Sequence, residues 1–326
     1  MIAPRENPSL FGHSEGEQTF AAAWASGRLH HAWLISGAEG IGKATLAFRF
    51  ARLLLTGGAG SNDAASPAFR RVAQGTHADL LTVEREYDEK RKRQRTEIVV
   101  DDARDIAGFL RLTPAEGGWR VVVVDGAEHL NRSAANALLK VLEEPPSRAV
   151  LLLTCAAPGR LLPTIRSRCR RLALSALGEA DMERALALIL PDEDPAACAR
   201  LIGLSAGSPG RAAMLAEAGG IAIAALVDEV LQAAPSIPIT RAYEVADRLA
   251  RTEGAYSTFM DVLRDRIGVS IREAARHRRD RLSQLRPLGE WSEVWHALGR
   301  LQDETERSNL DKRHAVVAGL DLLNAR

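Results

Sequence analysis

A glycine-rich loop between an apolar segment and an amphipathic segment constrains this chain more than any other feature of its sequence. The loop, Gly37–Lys43 (GAEGIGK), matches the first seven positions of the Walker A pattern. It follows an apolar run at 31–36 and precedes a stretch, 44–55, whose apolar residues recur at helical spacing. Because glycines let the backbone wrap closely, consecutive N–H groups can face phosphate oxygens at the positive end of the helix. The residues expected to bind a nucleotide here are Gly37, Gly40, Gly42 and Lys43.

Strand-like and helix-like segments alternate through the first half of the chain. The predicted strands cover 31–36, 79–84, 120–125 and 150–154, and the predicted helices cover 44–55, 101–112 and 131–144. The runs RVVVVD and VLLLT are apolar without alternation, as in parallel strands buried on both faces. This order of segments predicts a parallel sheet with helices on both of its faces.

After about residue 173 the strand signal ends, and helical patterns follow to the C-terminus. Proline and glycine interrupt these patterns at 191–195, at Gly207–Gly210 and at 235–238. The predicted fold class is therefore α/β plus all-α, in three domains. These are a P-loop parallel-sheet domain at 1–173, a small helical domain at 174–235 and a helical C-terminal domain at 236–326.

The composition shows no basic excess. Lys and Arg total 43 and Asp and Glu total 42, so contact with nucleic acid is expected to be local or to depend on partner proteins. The three cysteines stand far apart, which predicts neither a disulfide framework nor a zinc site. There is no run of about 18 apolar residues and no secretory signal. The expectation is a cytoplasmic protein without a membrane partner.

The residue after the loop lysine departs from the Walker A pattern. That position normally holds a Ser or Thr that binds Mg²⁺, but here it is Ala44, and Thr45 comes one residue late. One step along a helix rotates a side chain by about 100°, so Thr45 is not expected to replace the missing hydroxyl directly. Thr45 remains a candidate nucleotide contact. The loop is compatible with ATP binding, whereas Mg²⁺ coordination and hydrolysis are not expected.

An aspartate ends the apolar run at 120–125, about eighty residues after the loop. Asp125 occupies the place where P-loop ATPases keep the acidic residue that organises Mg²⁺. The alternative is an ordinary strand-end aspartate that caps a turn. Active ATPases usually place Glu next, but here the residue is Gly126. Glu128 and His129 follow, and no spacing rule puts either of them at an attacking water. Ala44 and Gly126 both argue against hydrolysis.

The segment 84–95 (EREYDEKRKRQR) is a run of mixed charge. It is typical of a solvated loop or hairpin. A DNA-facing patch is the alternative, and the sequence does not decide between the two.

Several further motifs are spread almost from end to end of the chain. They are Leu10–His13 (LFGH), Arg28–Trp33 (RLHHAW), Asn136–Pro146 (NALLKVLEEPP), Ile165–Cys169 (IRSRC), Gly207–Gly210 (GSPG) and Ser308–Arg313 (SNLDKR). With the P-loop, they make the chain resemble the bacterial DNA polymerase III clamp loaders, most closely the subunits of the delta-prime type. The resemblance implies an AAA+ P-loop module with a helical lid, followed by a helical collar domain that joins five subunits in an open ring.

In that family, ATP lies between neighbouring subunits, and the arginine of the Ser-Arg-Cys motif completes the site of the next subunit. The resemblance therefore implies that Arg168 acts in trans as an arginine finger; a surface arginine paired with a local carboxylate is the alternative. Arg211 resembles the sensor 2 arginine of the lid, or else it is a plain first-turn arginine. Ser208 and Pro209 predict the start of its helix.

Two further positions depart from the active members of the family. Thr154 is followed by Cys155 and Ala156 instead of a second threonine, so the sensor 1 contact is in doubt. The stretch 56–79 has no cysteine where many relatives carry a four-cysteine zinc module, so zinc is not expected.

The resemblance implies a non-motor subunit that is not an active ATPase alone and that helps load the sliding clamp on primed DNA during replication. Its partners would be the other loader subunits (gamma/tau and delta), with the clamp and the DNA reached through the complex. The alternative is a catalytically active subunit of the tau/gamma type. An unrelated P-loop enzyme, such as a small-molecule kinase, is opposed by the Ser-Arg-Cys motif and the helical tail.

Overall fold

The computed structural model describes residues 2–88, 93–116, 118–252, 254–276 and 280–324. The chain forms two compact units, Met1–Asp192 with Ala206–Arg211, and Glu193–Ser205 with Ala212–Arg326. These units do not follow the predicted borders at 173 and 235, and the division into three domains stays a prediction.

The first unit alternates helices and strands, as its sequence pattern predicts. Its elements are α1 Ser14–Ala25, β1 Ala32–Ser36, α2 Lys43–Leu55, α3 Pro67–Ala73, β2 Leu80–Val83, β3 Tyr87–Asp88, β4 Arg93–Gln94, α4 Val100–Arg111, β5 Arg120–Val124, α5 Arg132–Glu143, β6 Ala149–Cys155, α6 Pro163–Ser167, β7 Arg170–Ala173 and α7 Glu179–Ile189. Each of the seven strands and helices predicted between residues 31 and 154 is present, with its ends within one or two residues of the predicted ends.

Five of these strands form one parallel sheet in the order β2-β5-β6-β1-β7. β1 lies between β6 and β7, with Leu34 opposite Leu153 and Arg171. Every residue of β5 and β6 is buried, which explains their uninterrupted Val and Leu runs. The loop after β1 and the ends of β5 and β6 therefore meet at the carboxyl edge of the sheet. This is where open α/β sheets bind ligands.

Helices cover the sheet on both faces. On one face α4 and α5 pack over β5 and β6 in a single apolar cluster that includes Ile106, Leu110, Leu138, Leu142, Leu151 and Leu153. Elsewhere in the unit the rings of Phe20 and Phe50 stack at 3.9 Å between centroids, and Trp33 lies 5.0 Å from Phe20. Burial of each such side chain stabilises the fold by about 1.5–3 kcal/mol. The α/β part of the predicted fold class is confirmed.

The regular secondary structure described in the second unit is all helical. Its elements are α8 Pro195–Leu204, α10 Gly220–Ala233, α11 Ile239–Leu249, α12 Ala255–Ala275, α13 Arg281–Leu285, α14 Leu288–Ser308 and α15 Lys312–Asp321, while α9, Pro209–Glu217, starts within the first unit and continues in the second. α12 packs between α10 and α14, and α11 packs on α15. Phe259, Leu263 and Leu298 are fully buried there. The all-α part of the predicted fold class is confirmed.

None of the described helices is both long enough and apolar enough to cross a membrane.

The charged segment 84–95 is partly a hairpin. β3 pairs with β4 in antiparallel fashion, with Tyr87 opposite Gln94. Residues 89–92 lie outside the described part of the chain. A loop or hairpin was one of the two interpretations of this segment, and its role toward DNA stays open.

Candidate functional site

The glycine-rich loop joins β1 to α2 at the carboxyl edge of the sheet. Gly40 and Gly42 adopt φ values of 71° and 107°, in the left-handed region that favours glycine. The N–H of Leu46 donates to the carbonyl of Gly42 at 2.9 Å, which closes the first turn of α2. The N–H groups of the residues just before Leu46 therefore have no acceptor within the helix. This is the backbone cradle that the Walker A pattern predicts.

Lys43 begins α2 and is only 9% exposed. Its ammonium donates to the carbonyl of Ala38, 2.7 Å away, so the side chain folds back over the loop. Burial lowers the pKa of Lys43, and the carboxylates of Glu128, Asp125 and Glu39 oppose that shift in decreasing order. The lysine is thus a desolvated cation in a largely acidic setting.

The turn before α9 contacts the loop directly. Ser208 Oγ donates to the carbonyl of Glu39 at 2.7 Å, and Gly210 N donates to the carbonyl of Gly40 at 2.9 Å. A Cβ atom on Gly40 would come within 2.7 Å of the backbone nitrogen of Arg211. Position 40 therefore requires glycine for two reasons, its positive φ and the close approach of the Arg211 backbone. The predicted helix start at Pro209 is present.

Gly37 has a different role from the other two glycines. Its N–H donates to the carbonyl of Cys155 at 3.2 Å, and a Cβ atom here would lie 2.9 Å from the carbonyl oxygen of Leu174. The absence of a side chain on Gly37 thus allows the loop to pass between the ends of β6 and β7. Its predicted contact with a nucleotide stays a prediction.

His13 contacts the backbone of the glycine-rich loop. In the sequence it stood out only as part of the LFGH motif. The residue is 6% exposed and its Nε2 lies 2.9 Å from the carbonyl oxygen of Ile41. A Cβ atom on Gly42 would also approach the His13 ring, at 3.7 Å. The LFGH motif was the only signal in the sequence that could have indicated this role.

Asp125 follows β5 and is hydrogen-bonded within the chain. The hydroxyl of Thr154 donates to Asp125 Oδ1 at 2.5 Å and accepts the N–H of Gly126 at 2.9 Å. Thr154 is fully buried. Its hydroxyl therefore contacts both the acidic residue and the turn after it.

Glu128 and His129 lie in a short 3₁₀ turn, Ala127–His129, which starts after Gly126 at a φ of 76°. Glu128 Oε1 accepts the N–H of Ala156 at 2.7 Å, whereas Oε2 is buried without a nitrogen or oxygen donor. The carboxylate lies beside the Cys155 thiol, and burial together with Glu128 raises the pKa of that thiol to about 12. Burial lowers the pKa of His129, and Arg85 and Arg160 act in the same direction. No spacing rule could have placed Glu128, because the position of this turn depends on the ends of β5 and β6 together.

These groups surround a cavity of about 620 Å³. The predicted residues that line it are Gly40, Gly42, Lys43, Thr45 and Asp125, joined by Glu128, His129, Pro209 and Gly210. Gly37, Arg168 and Arg211 are not among the described residues that line it. The backbone of Arg211 approaches Gly40, but a contact of its side chain with a nucleotide stays a prediction.

The cavity suits phosphate groups better than it suits a metal. Its cradle offers backbone N–H groups and the Lys43 ammonium, which are the donors that phosphate oxygens need. The position that should supply a hydroxyl to Mg²⁺ carries the methyl group of Ala44, and Asp125 Oδ1 is already bonded to Thr154. Within the described ranges, no group of three His, Cys, Asp or Glu side chains is arranged to hold a metal ion.

Arg168 lies at the C-terminal end of α6, on the surface of the first unit. Its Nη2 is 2.9 Å from Glu143 Oε1, its Nη1 donates to the carbonyl of Thr164 at 3.1 Å, and the side chain is 35% exposed. A pair with a local carboxylate was the alternative interpretation of this residue, and that pair is present. The next residue, Cys169, is buried, and burial raises the pKa of its thiol to about 12. The motif thus anchors its cysteine and leaves its arginine within reach of solvent.

Comparisons with known proteins agree with the motifs. The model of the family described as "DNA polymerase III, delta subunit" matches residues 12–178. The chain is 44% identical to the DNA polymerase III subunit delta' of Pseudomonas aeruginosa over 181 residues, which are 55% of this chain and 53% of that protein. It is 34% identical to the subunit tau/gamma of Haemophilus influenzae over 207 residues, 60% of this chain and 29% of that protein.

A solved structure of a DNA polymerase III gamma-subunit-related protein from Thermotoga maritima is similar at 18% identity and a TM-score of 0.45, covering 90% of this chain and 95% of that one. The chain spans about half the length of its delta' relative and less than a third of its tau/gamma relative.

Proposed function

The chain belongs to the family described as DNA polymerase III, delta subunit, and on that basis we propose that it works as a non-motor, delta-prime-like subunit of a clamp loader. In this role it helps to place a sliding clamp on primed DNA during replication. Its partners are the other loader subunits, gamma/tau and delta, and it acts in the cytoplasm. The clamp and the DNA are reached through the assembled complex.

The observation that carries this proposal is the location of Arg168. The arginine is outside the cavity of its own chain, at the surface, and is held by one exposed carboxylate. An arginine in that position is available to a second molecule. In phosphoryl transfer, an arginine supplied in trans neutralises the charge that develops on the γ-phosphate, an effect worth about 10³–10⁵ in rate.

In this mechanism the cavity of the chain itself would bind a nucleotide without hydrolysing it. The N–H groups around Gly40 and Gly42, with the Lys43 ammonium, would hold the phosphates of a bound nucleotide. Asp125 is poorly suited to be a Mg²⁺ ligand, because Ala44 offers no second ligand and the Thr154 hydroxyl already donates a hydrogen bond to one Asp125 oxygen. The chain therefore contributes to ATP cleavage at a neighbour's site and not at its own.

A second candidate is an active motor subunit of the tau/gamma type. The 34% identity to the tau/gamma subunit of Haemophilus influenzae and the intact Gly42-Lys43 pair favour it. Ala44 and Gly126 oppose it, since they remove the hydroxyl for Mg²⁺ and the carboxylate that activates water.

The decisive experiment replaces Arg168 in a loader reconstituted from this chain and its partner subunits. We expect Arg168→Ala to lower DNA-stimulated ATP turnover at least about 100-fold, while the complex still assembles in gel filtration. Arg104→Ala is the matched control, because Arg104 is an exposed arginine with a single ion pair, to Asp101. It should leave turnover unchanged.

Glu143→Gln separates the two interpretations of Arg168. It releases the arginine from its local partner without removing it, so turnover should stay within about threefold of the wild-type rate. Wild-type turnover in the Arg168→Ala complex would reject the role in trans.

A further inference from the structure

Glu128 is an acidic side chain of the cavity that belongs to neither Walker motif and has no part in the proposed function. It lines the same cavity as Lys43 and the loop glycines. What it does there depends on whether its position is fixed and on which charges it faces.

The position of Glu128 is fixed from two sides. The 3₁₀ turn that carries it starts at Gly126, whose N–H is bonded to Thr154. Its Oε1 is held by the N–H of Ala156, just beyond the end of β6, at 2.7 Å. The carboxylate therefore cannot move away from the cavity without breaking a hydrogen bond between two strand ends.

The second oxygen of this carboxylate lacks the strong partner that a buried charged oxygen normally has. Oε2 is buried and accepts no hydrogen bond from a nitrogen or oxygen donor, and the weak donor beside the carboxylate is the Cys155 thiol, whose pKa is raised by burial and by Glu128. An ionised oxygen that is satisfied so poorly is costly to bury. The described cations that line the cavity include Lys43, Arg85 and Arg160. Lys43 is the one that belongs to the cradle, and its ammonium donates to a backbone carbonyl and to no carboxylate oxygen that the structure describes. Of the carboxylates that favour the charged form of Lys43, Glu128 acts most strongly.

The geometry points to Glu128 as a built-in counter-ion of the phosphate cradle, which weakens the binding of phosphate groups and so determines the charge of the ligand that the cavity accepts. This inference rests on the proposed nucleotide cradle. When no ligand is bound, the carboxylate balances Lys43. When phosphates enter, it opposes them, because like charges in a partly buried site repel strongly.

The absence of good Mg²⁺ ligands makes this repulsion matter more. A bound metal would cancel part of the charge of the phosphates, and this cavity offers little to hold one. The ligand class that Glu128 repels least is therefore a nucleoside phosphate of low charge. A diphosphate should bind better than a triphosphate when both are free of metal.

The test is calorimetric titration of the full chain with ADP, and then with ATP, in buffer containing EDTA. Glu128→Gln removes the charge and keeps an oxygen that can accept the Ala156 N–H. We expect it to bind ADP at least about tenfold more tightly than the wild type does, a gain of about 1.4 kcal/mol. ATP should gain more than ADP does, because it brings more charge near position 128.

Two variants control for net charge and for space. Glu144→Gln makes the same change in charge on an exposed residue outside the cavity, and it should bind ADP within about twofold of the wild type. Glu128→Asp keeps the charge and shortens the side chain, and it should show no tenfold gain. An equal gain in Glu128→Asp would mean that space limits binding, and it would overturn the inference.

Equal ADP affinities in the wild type and Glu128→Gln would also overturn it. If Lys43→Ala weakened binding in that case, the cradle itself would still stand. No binding by either protein at millimolar ADP would defeat the inference together with the cradle, whereas the role of Arg168 is tested separately in the assembled loader. Matching circular dichroism spectra would establish that the variants are folded.

Discussion

At the scale of single residues, two hydrogen bonds of Thr154 link the ends of β5 and β6. The hydroxyl ties Asp125 to the turn at Gly126. The sequence predicted that Asp125 would end a buried strand in the cavity, and the strand and the location are as predicted. It could not predict the bond, because Thr154 lies on β6 and meets Asp125 only through the pairing of β6 with β5.

Thr154→Val tests the structural part of that contact. Valine keeps the shape but leaves Asp125 and the N–H of Gly126 without their partner, so we expect a loss of about 1–3 kcal/mol in the free energy of unfolding. Urea denaturation followed by circular dichroism measures it. Thr240→Val, on an exposed threonine, should change stability by less than about 0.5 kcal/mol. Equal effects of the two substitutions would contradict the prediction.

A second residue-scale prediction concerns the contact between the phosphate loop and the turn before α9. A Cβ atom on Gly210 would lie 2.7 Å from the Cα and 2.9 Å from the carbonyl oxygen of Gly40, and both of these Gly40 atoms belong to the backbone. We expect Gly210→Ala to destabilise the first unit by about 1–3 kcal/mol in urea denaturation.

Gly108→Ala is the matched control for that substitution. Gly108 lies within α4 and has no atom within 4 Å of an added Cβ, so it should gain about 0.5–1 kcal/mol. A neutral Gly210→Ala would show that the contact with Gly40 is not tight in solution.

At the scale of elements, the buried apolar strands and the helices with strong periodicity could be predicted, whereas several other helices could not. α5 was predicted at 131–144 and spans Arg132–Glu143. The helices α1, α3 and α6 were not assigned, and α10 was not separated from α9. α3 and α6 are too short to show a helical period, and the break before α10 depends on a left-handed Gly219. Tertiary packing, more than local pattern, stabilises elements of this length.

The N-terminus of α5 offers a prediction for one element. Asn131 Oδ1 accepts the N–H of Ala134 at 2.9 Å and caps the helix whose other end carries Glu143. Asn131→Ala should lower the free energy of unfolding by about 0.5–2 kcal/mol. Asn136→Ala changes the same residue type at an exposed position within α5, and it should be neutral or slightly stabilising. A larger loss in Asn136→Ala than in Asn131→Ala would refute the capping role.

At the scale of the whole molecule, the fold class and the family could be predicted, because both rest on patterns that are distributed along the whole chain. The alternation of strands and helices gave the parallel sheet, and the motifs from Leu10 to Arg313 gave the resemblance that the family model and the delta' relative confirm. The location of Glu128 and the pair between Arg168 and Glu143 could not be predicted, since each depends on residues far apart in the sequence.

The isolated chain should show negligible ATP turnover, far below about 1 s⁻¹, the lower end for working enzymes. The reason is that one active site lacks both the hydroxyl at position 44 and the carboxylate at position 126. Phosphate release from the purified full chain measures this. Ala44→Thr alone should not restore turnover, because Gly126 remains. A rate near 1 s⁻¹ in the wild type would favour the motor alternative.

If Arg168 acts in trans as proposed, its surface pair with Glu143 affects how quickly the subunit could become active after it joins a ring. Ion pairs this exposed are worth about 0–1 kcal/mol, so the guanidinium can leave its resting place at almost no energetic penalty. A neighbour's triphosphate would simply outcompete the resident carboxylate. The donor would then need no refolding step, and the timing of cleavage would depend on how closely the two subunits approach each other.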